Sequence, residues 1–310
     1  MSSYLSSFFE RLFFKPNLFD WVSITLLSPL SLLYGSILLT RRLITPKKSY
    51  PLPIISVGNL IVGGSGKTPF VIALASRYNH VTIISRGYGR ESRGLIEVSR
   101  EGKIVSSVFE SGDEAMLMAK SLPKASVIVS ENRQRAIELA INNGAEVIIL
   151  DDGFNRVEIK KFEILLFPKE IKNYFTFPAG PFREFFLTTY FAHLTLYEER
   201  DFKRIVKIKD EGEKMLLATA ISNPARLESY LPSQKVLGRY YLADHAYFDE
   251  SALKIEMNRC GATSLLVTEK DAVKMEEFKL PLSVMQLKLE IKNEILREID
   301  TYIGAFNYEE

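Results

Sequence analysis

Lys67 and Thr68 close the run Ile61-Val62-Gly63-Gly64-Ser65-Gly66-Lys67-Thr68, and no other segment of the chain implies chemistry as directly. Glycines let successive backbone N–H groups curl toward phosphate oxygens, a lysine neutralises the β- and γ-phosphates, and a threonine hydroxyl at a helix start ligates Mg2+. The general phosphate-loop pattern places glycine where this chain has Ile61. The surroundings still match what the mechanism demands. Ile54-Ile55-Ser56-Val57 reads as a buried strand, and a helix-like segment opens at Lys67-Thr68. A glycine-rich turn with a chance Gly-Lys-Thr is the competing reading. Residues 61–68 are thus expected to hold a nucleotide, ATP, with Mg2+.

A phosphoryl-transfer site of this kind also needs a carboxylate at the tip of a neighbouring buried strand, to organise the metal and its water. Val147-Ile148-Ile149-Leu150-Asp151-Asp152 has that form, although two acids before Gly153 also cap an ordinary loop. Ser111-Gly112-Asp113-Glu114 puts two carboxylates at a helix start, where a favourable cap is the plain alternative. Ser85-Arg86-Gly87-Tyr88-Gly89-Arg90 sets basic and aromatic side chains on a loop suited to phosphate or sugar, and equally to a solvated turn. Asp244-His245 lies in a polar stretch, where a surface pair is the commoner fate of a lone histidine.

The elements that must carry these residues alternate. Short apolar, β-branched runs at Ile54–Val57, Val81–Ser85, Ser126–Ser130, Val147–Leu150, Ile164–Phe167, Leu194–Tyr197, Leu216–Ile221, Ser264–Thr268 and Val284–Leu289 read as strands. Between them Thr68–Arg77, Asp113–Lys120, Arg133–Asn142 and Ile291–Ile303 read as amphipathic helices. The succession predicts an α/β protein with parallel sheets covered by helices. The charged stretch Glu198–Lys214 marks a boundary or hinge, or else a solvated helix and turn.

Composition narrows the classes. With 46% hydrophobic and 25% charged residues the chain buries a real core, and disorder is excluded. Forty basic residues against 38 acidic ones give +2, which supports no nucleic-acid partner. The excess is local: residues 1–50 hold six basic side chains and two acidic ones, so they carry +4 and the rest −2. Cys260 is the only cysteine, which rules out an intrachain disulfide and a cysteine-built metal site and fits a reducing compartment. His80, His193 and His245 are too scattered for a multi-histidine metal site. From Trp21 to Thr40 no residue is charged, a length that just reaches across a bilayer. Four serines dilute the stretch, and Pro29 and Gly35 divide it into two short pieces, which favours an interfacial or re-entrant hairpin over a span or a buried helix. Arg41-Arg42 beyond it favours the cytoplasmic side, where ATP is.

Together these segments resemble one family, the tetraacyldisaccharide 4′-kinases, which are the lipid A 4′-kinases of Gram-negative bacteria. The resemblance covers nearly the whole chain: Pro29-Leu30-Ser31-Leu32-Leu33-Tyr34-Gly35, Ser56-Val57-Gly58-Asn59-Leu60, Gly63 to Pro69, Ser85-Arg86-Gly87-Tyr88, Gly112-Asp113-Glu114, Asp151-Asp152-Gly153-Phe154, Pro178 to Glu184, Ile221-Ser222-Asn223-Pro224, Asp244-His245 and Thr268-Glu269-Lys270-Asp271. The family also lacks the first phosphate-loop glycine, so Ile61 becomes a point of agreement. One departure is that the family usually continues Asp-Asp-Gly-Phe with Gln-His-Arg, where this chain has Asn155-Arg156.

The resemblance implies transfer of the ATP γ-phosphoryl group to the 4′-hydroxyl of a tetraacylated glucosamine disaccharide 1-phosphate, giving lipid IVA for lipopolysaccharide. It implies Asp113 as the base, with His245 orienting or tuning it, and Thr68, Glu114, Asp151 and Asp152 serving Mg2+. Lys67 and the backbone from Ile61 to Thr68 would hold ATP. Tyr88, Arg133, Asn155 and Arg183 are the remaining candidates for phosphate or sugar. The expected fold is a P-loop NTPase-like parallel-sheet domain over 49–205, a second, smaller α/β domain over 206–310 that closes over the active site, and a membrane-associated helical segment over 1–48. The expected location is the cytoplasmic face of the inner membrane, with the lipid substrate and the membrane surface as partners and no obligate protein partner. A membrane-tethered P-loop hydrolase or switch is the rival; it needs no acceptor base.

Overall fold

The computed structural model describes residues 2–63 and 66–306, with side chains from residue 8 onward. Gly64 and Ser65 of the glycine-rich run lie outside the described residues. Packing groups the chain into two units that interleave along the sequence. The first comprises residues 1–67, 147–203 and 291–310; the second comprises 68–146 and 204–290.

In the first unit Val147–Asp151, Ile54–Gly58, Phe162–Phe167 and Leu194–Tyr197 lie side by side in that order, all parallel. Every residue of the first three is buried. That is why they read as unbroken apolar runs: a parallel strand covered on both faces has no solvent side to alternate toward. The register places Val57 beside Asp151 and Ser56 beside Glu163. The carboxylates after Leu150 therefore emerge at the level of the turn that follows Gly58. The C-terminal helix Asn293–Phe306 returns to this unit, where the Tyr302 ring packs on Phe162 with centroids 4.8 Å apart and its hydroxyl donates to the Ile54 carbonyl at 3.3 Å.

In the second unit Val81–Ser85 runs parallel to Ser126–Val129, which is extended by the antiparallel strands Ile96–Arg100 and Lys103–Ile104. A further five-stranded sheet has the order Val236–Tyr241, Met215–Thr219, Ser264–Thr268, Leu282–Ile291, Phe202–Lys209. All nine expected strands and all four expected helices form, within a few residues at their ends. The charged stretch Glu198–Lys214 holds the division between the two units, which falls between residues 203 and 204, but it is no solvated helix, since Phe202–Lys209 is a strand. It lies at the sheet's edge, where lysine and arginine discourage pairing with another chain, and the charges hide its β character from a composition reading.

The N-terminal apolar segment also departs from expectation. Asp20–Ile44 is one unbroken helix of 25 residues, not a hairpin divided at Pro29 and Gly35. Proline withholds the N–H that would bond the Thr25 carbonyl, and the Ser28 hydroxyl supplies that bond instead at 2.8 Å. Gly35 marks a close approach: a Cβ there would stand 2.4 Å from the Phe185 ring. Asp20, Ile24, Ser31, Gly35 and Arg42 form the buried face. Leu26, Leu30, Leu33 and Ile37, on the opposite face, are exposed. Among the described residues this is the one helix long and apolar enough to cross a membrane.

Candidate active site

The donor-side residues of the first unit are set by the strand Ile54–Gly58 and the helix Lys67–Ala75 that follows it. Gly63 and Gly66 have φ of 97° and 79°, a region open to glycine and strained for other residues, so both positions call for glycine. The start of the loop is fastened to the segment Pro181-Phe182-Arg183. Ile61 bridges Phe182, Val62 N–H donates to the Pro181 carbonyl at 2.9 Å, and Arg183 N–H donates to the Leu60 carbonyl at 2.6 Å. Ile61 is buried against Phe154 and Phe182. An apolar side chain stands there because the site's own core needs it.

Lys67 Nζ donates to Asn59 Oδ1 at 2.9 Å and lies 3.6 Å from Asp152 Oδ1. Arg183 Nη1 holds both Asp152 oxygens, at 3.0 and 3.3 Å. Asp152 has φ 54° and its N–H bonds the Val57 carbonyl at 2.9 Å, which pins the turn after the strand. Asp151 is buried and Asp152 half-buried. Phe154 is clasped from the apolar helix: Arg42 donates to its carbonyl at 3.0 Å, and the guanidinium lies 4.0 Å from the ring centroid. Arg42 is itself paired with Glu184 through two hydrogen bonds of 3.0 Å, both side chains nearly inaccessible. Asn155 is exposed, and its carbonyl accepts from Arg41 at 3.2 Å.

The second unit brings together residues 132 positions apart. Asp113, first residue of the helix Asp113–Ser121, has its carboxylate 3.0 and 3.1 Å from His245 Nδ1. Asp113 is 4% exposed and the His245 side chain 13%, so this histidine is not the surface residue that its polar stretch left open. His245 follows the strand Met215–Thr219 in space, its N–H bonded to the Ala220 carbonyl at 3.0 Å. The Tyr88 ring sits 4.9 Å from the imidazole.

Two lysines that sequence reasoning gave no role complete this cluster. Lys270 Nζ stands 3.3 Å from His245 Nε2, 3.3 Å from Glu114, 3.5 Å from Asp244 and 3.9 Å from Asp113. Lys274 Nζ stands 3.6 Å from Asp113 and 3.3 Å from Asp271. Burial pushes the Asp113 carboxyl up, but the His245 hydrogen bond and the charges of Lys270 and Lys274 outweigh it and hold it below the ordinary value. Burial likewise pulls Lys270 down, and Glu114, Asp113 and Asp244 together more than reverse this. Asp113 is therefore an ionised acceptor and Lys270 a fixed cation. The one signal for Lys270 in the sequence was Thr268-Glu269-Lys270-Asp271, which carried resemblance but no chemistry.

Arg133 is elsewhere engaged. It is buried, and its guanidinium clasps the Ser85 and Ser130 carbonyls at the ends of two strands. Among the described residues no three His, Cys, Asp or Glu side chains converge as a metal nest.

The family model for Tetraacyldisaccharide-1-P 4′-kinase matches residues 23–205 and 187–304. A tetraacyldisaccharide 4′-kinase from Helicobacter acinonychis (strain Sheeba) is 47% identical over 302 residues, covering 97% of this chain and 96% of that one. The protein of that name from Aliarcobacter butzleri (strain RM4018) is 44% identical over 306 residues, covering 96% and 97%. Among solved structures, the "apo" form of LpxK from Aquifex aeolicus in complex with ATP superposes with a TM-score of 0.76 at 29% identity, covering 92% of this chain and 99% of that one. A phosphate loop between a buried parallel strand and a helix, in an α/β fold of this kind, defines a P-loop NTPase-like protein. More particularly, the chain belongs to the tetraacyldisaccharide-1-P 4′-kinase family.

Proposed function

We propose that this chain transfers the γ-phosphoryl group of ATP to the 4′-hydroxyl of a tetraacyldisaccharide 1-phosphate, with Asp113 as the base. Family membership favours this over a nucleotide hydrolase or switch. The single observation that carries the residue assignment is the buried Asp113–His245 pair, because a hydrolase that hands phosphate to water needs no such acceptor. As the sugar oxygen bonds to the γ-phosphorus, its proton passes to an Asp113 oxygen, and the bond to the β–γ bridging oxygen breaks with its electrons leaving on ADP. His245 holds the Asp113 carboxylate in one orientation throughout. Lys67 and the backbone of residues 61–68 neutralise and cradle the donor phosphates.

Hard oxygen donors suit Mg2+, which keeps several waters and rarely takes a full cage of side chains. The Thr68 hydroxyl, Asp151 and Asp152 are such donors. They would hold it, and when bound it would spread the charge of the transferring phosphoryl group. Glu114 already faces the Lys270 ammonium and is assigned to that cation instead. Arg183 and Lys67 hold Asp152 in place. The exposed apolar face of the helix Asp20–Ile44, with Arg41 at its end, supports association with an anionic membrane surface on the cytoplasmic side, where a lipid acceptor lies at headgroup level.

The test uses purified full-length protein in detergent with Mg-ATP and the disaccharide 1-phosphate lipid, analysed for a product phosphorylated at the 4′ position. Asp113→Asn is expected to lower kcat by about 10²–10⁴ while the KM for Mg-ATP stays within about twofold. ATP turnover without that product would sink the assignment.

A further inference from the structure

We infer that Lys270 is a positioning residue that fixes the tautomer of His245, so that the imidazole presents an Nδ1–H to Asp113 and an acceptor Nε2 to the lysine. An ammonium has three donors and no acceptor. The His245 nitrogen 3.3 Å from Lys270 Nζ must therefore offer its lone pair, and in a neutral ring the hydrogen is then on Nδ1. That is the nitrogen 3.0 and 3.1 Å from the Asp113 oxygens, so the hydrogen points at the carboxylate. The alternative tautomer would set an Nδ1 lone pair against an ionised carboxylate and an Nε2–H against an ammonium. Its nearest acceptor on that side, Asp244 Oδ2, is 3.6 Å away, beyond hydrogen-bond reach.

Lys270 is itself held in place. Glu114 from the helix Asp113–Ser121 and Asp244 from the loop of His245 lie at 3.3 and 3.5 Å from Nζ, on two different elements. Lys274, one turn further along the chain, is 1% exposed and is committed to Asp113, Asp271 and the Ala246 carbonyl. The charged groups around the imidazole are thus Asp113, Glu114, Asp244, Lys270 and Lys274, with the Tyr88 ring on one face and Asp271 behind Lys274. Among them Lys270 is the donor within reach of Nε2. The consequence for the reaction is that His245 never offers Nδ1 as a base. Asp113 alone takes the proton, and Lys270 secures the geometry in which it does so.

The inference rests on the proposed reaction for its kinetic outcome only, since the tautomer is read without substrate. Full-length protein in detergent, labelled with ¹⁵N-histidine and held at about pH 8, above the ordinary histidine range, gives three imidazoles, and His245→Asn assigns the one of interest. We expect wild-type His245 as the Nδ1–H tautomer. Asp113 still favours the Nδ1–H form in Lys270→Met, so that variant should show a measurable share of Nε2–H where wild type shows none, and lower kcat by roughly 10- to 1,000-fold, with the KM for Mg-ATP little changed. Lys270→Arg, also a pure donor, should restore the Nδ1–H form and most of the activity. Wild-type His245 found as Nε2–H overturns the inference even where Lys270→Met does not fold. So does a folded Lys270→Met protein that keeps the Nδ1–H tautomer alone. A confirmed tautomer with no sugar phosphorylation would leave the inference standing and remove the kinase reading.

Discussion

Asp152 shows how much one side chain is asked to hold. Lys67 and Arg183 both reach it, and its positive φ sets it on a turn tied to Val57. A carboxylate between two cations keeps its direction, which the proposed metal-organising role requires. Lys67 is also bonded to Asn59, so its ammonium is held on two sides. Lys67→Met removes the cation and leaves Asn59 and Asp152 without it. The expected result is a fall in kcat/KM for Mg-ATP of at least about 100-fold, seen in steady-state kinetics at saturating lipid. An unchanged KM and kcat would show that Lys67 does not meet the donor phosphates.

At the scale of elements, the helix Asp20–Ile44 is more than an apolar attachment. Its buried face carries Ser31, which donates to the Thr176 carbonyl at 2.7 Å and accepts from Ala179 N–H at 2.9 Å. It also carries Arg42, clamped to Glu184 and Phe154. Because Phe154 follows Asp151-Asp152-Gly153 and Glu184 follows Arg183, this helix braces both segments that meet at Asp152. Breaking a buried pair strands a charge. Arg42→Met is expected to lower the stability of the fold by about 3–5 kcal/mol, and Arg42→Met with Glu184→Met to recover most of that. Thermal unfolding of the two variants measures the difference, and equal midpoints would contradict it. The outer face makes a separate prediction. Replacing Leu26, Leu33 and Ile37 with serine removes roughly 1 kcal/mol or more of apolar transfer each, so partitioning onto anionic vesicles should drop at least about 100-fold in a flotation assay. Retained binding would mean that another surface makes the attachment.

For the molecule as a whole, the last helix closes the first unit. Tyr302, 248 residues from the strand it bonds, is half-buried against Phe162. Burial pushes its phenol up to about 12, against the downward pull of its bonds to the Ile54 and Phe162 backbone. A raised value means that the folded state holds the proton more tightly than the unfolded chain does. This contribution is complete below the ordinary tyrosine value of 10.0 and fades as pH rises toward about 12. Tyr302→Phe should therefore flatten the loss of stability across that window, apart from about 1 kcal/mol for the lost hydrogen bond. Denaturant titrations of both proteins at several alkaline pH values check it, and parallel slopes would refute it.

Much of this was legible in the residues themselves. Buried parallel strands announce themselves as apolar β-branched runs, and a glycine-rich turn between such a strand and a helix implies phosphate whatever surrounds it. Local patterns of this kind determined the fold class, the nine strands and the donor side of the site, while ordered matches along the chain pointed to the family. What only the tertiary structure decided depends on contacts between residues far apart in sequence. Charged Phe202–Lys209 is a strand because it lies at a sheet edge. Proline does not break Asp20–Ile44, because Ser28 takes over the bond it cannot make and the buried face is held by distant partners. Nothing near Lys270 in the chain says that it meets His245, and nothing near Asp113 says that its carboxylate is shielded from water. Lys67 and Thr68 implied a nucleotide from spacing alone; the acceptor base came from a resemblance, and its geometry needed the fold.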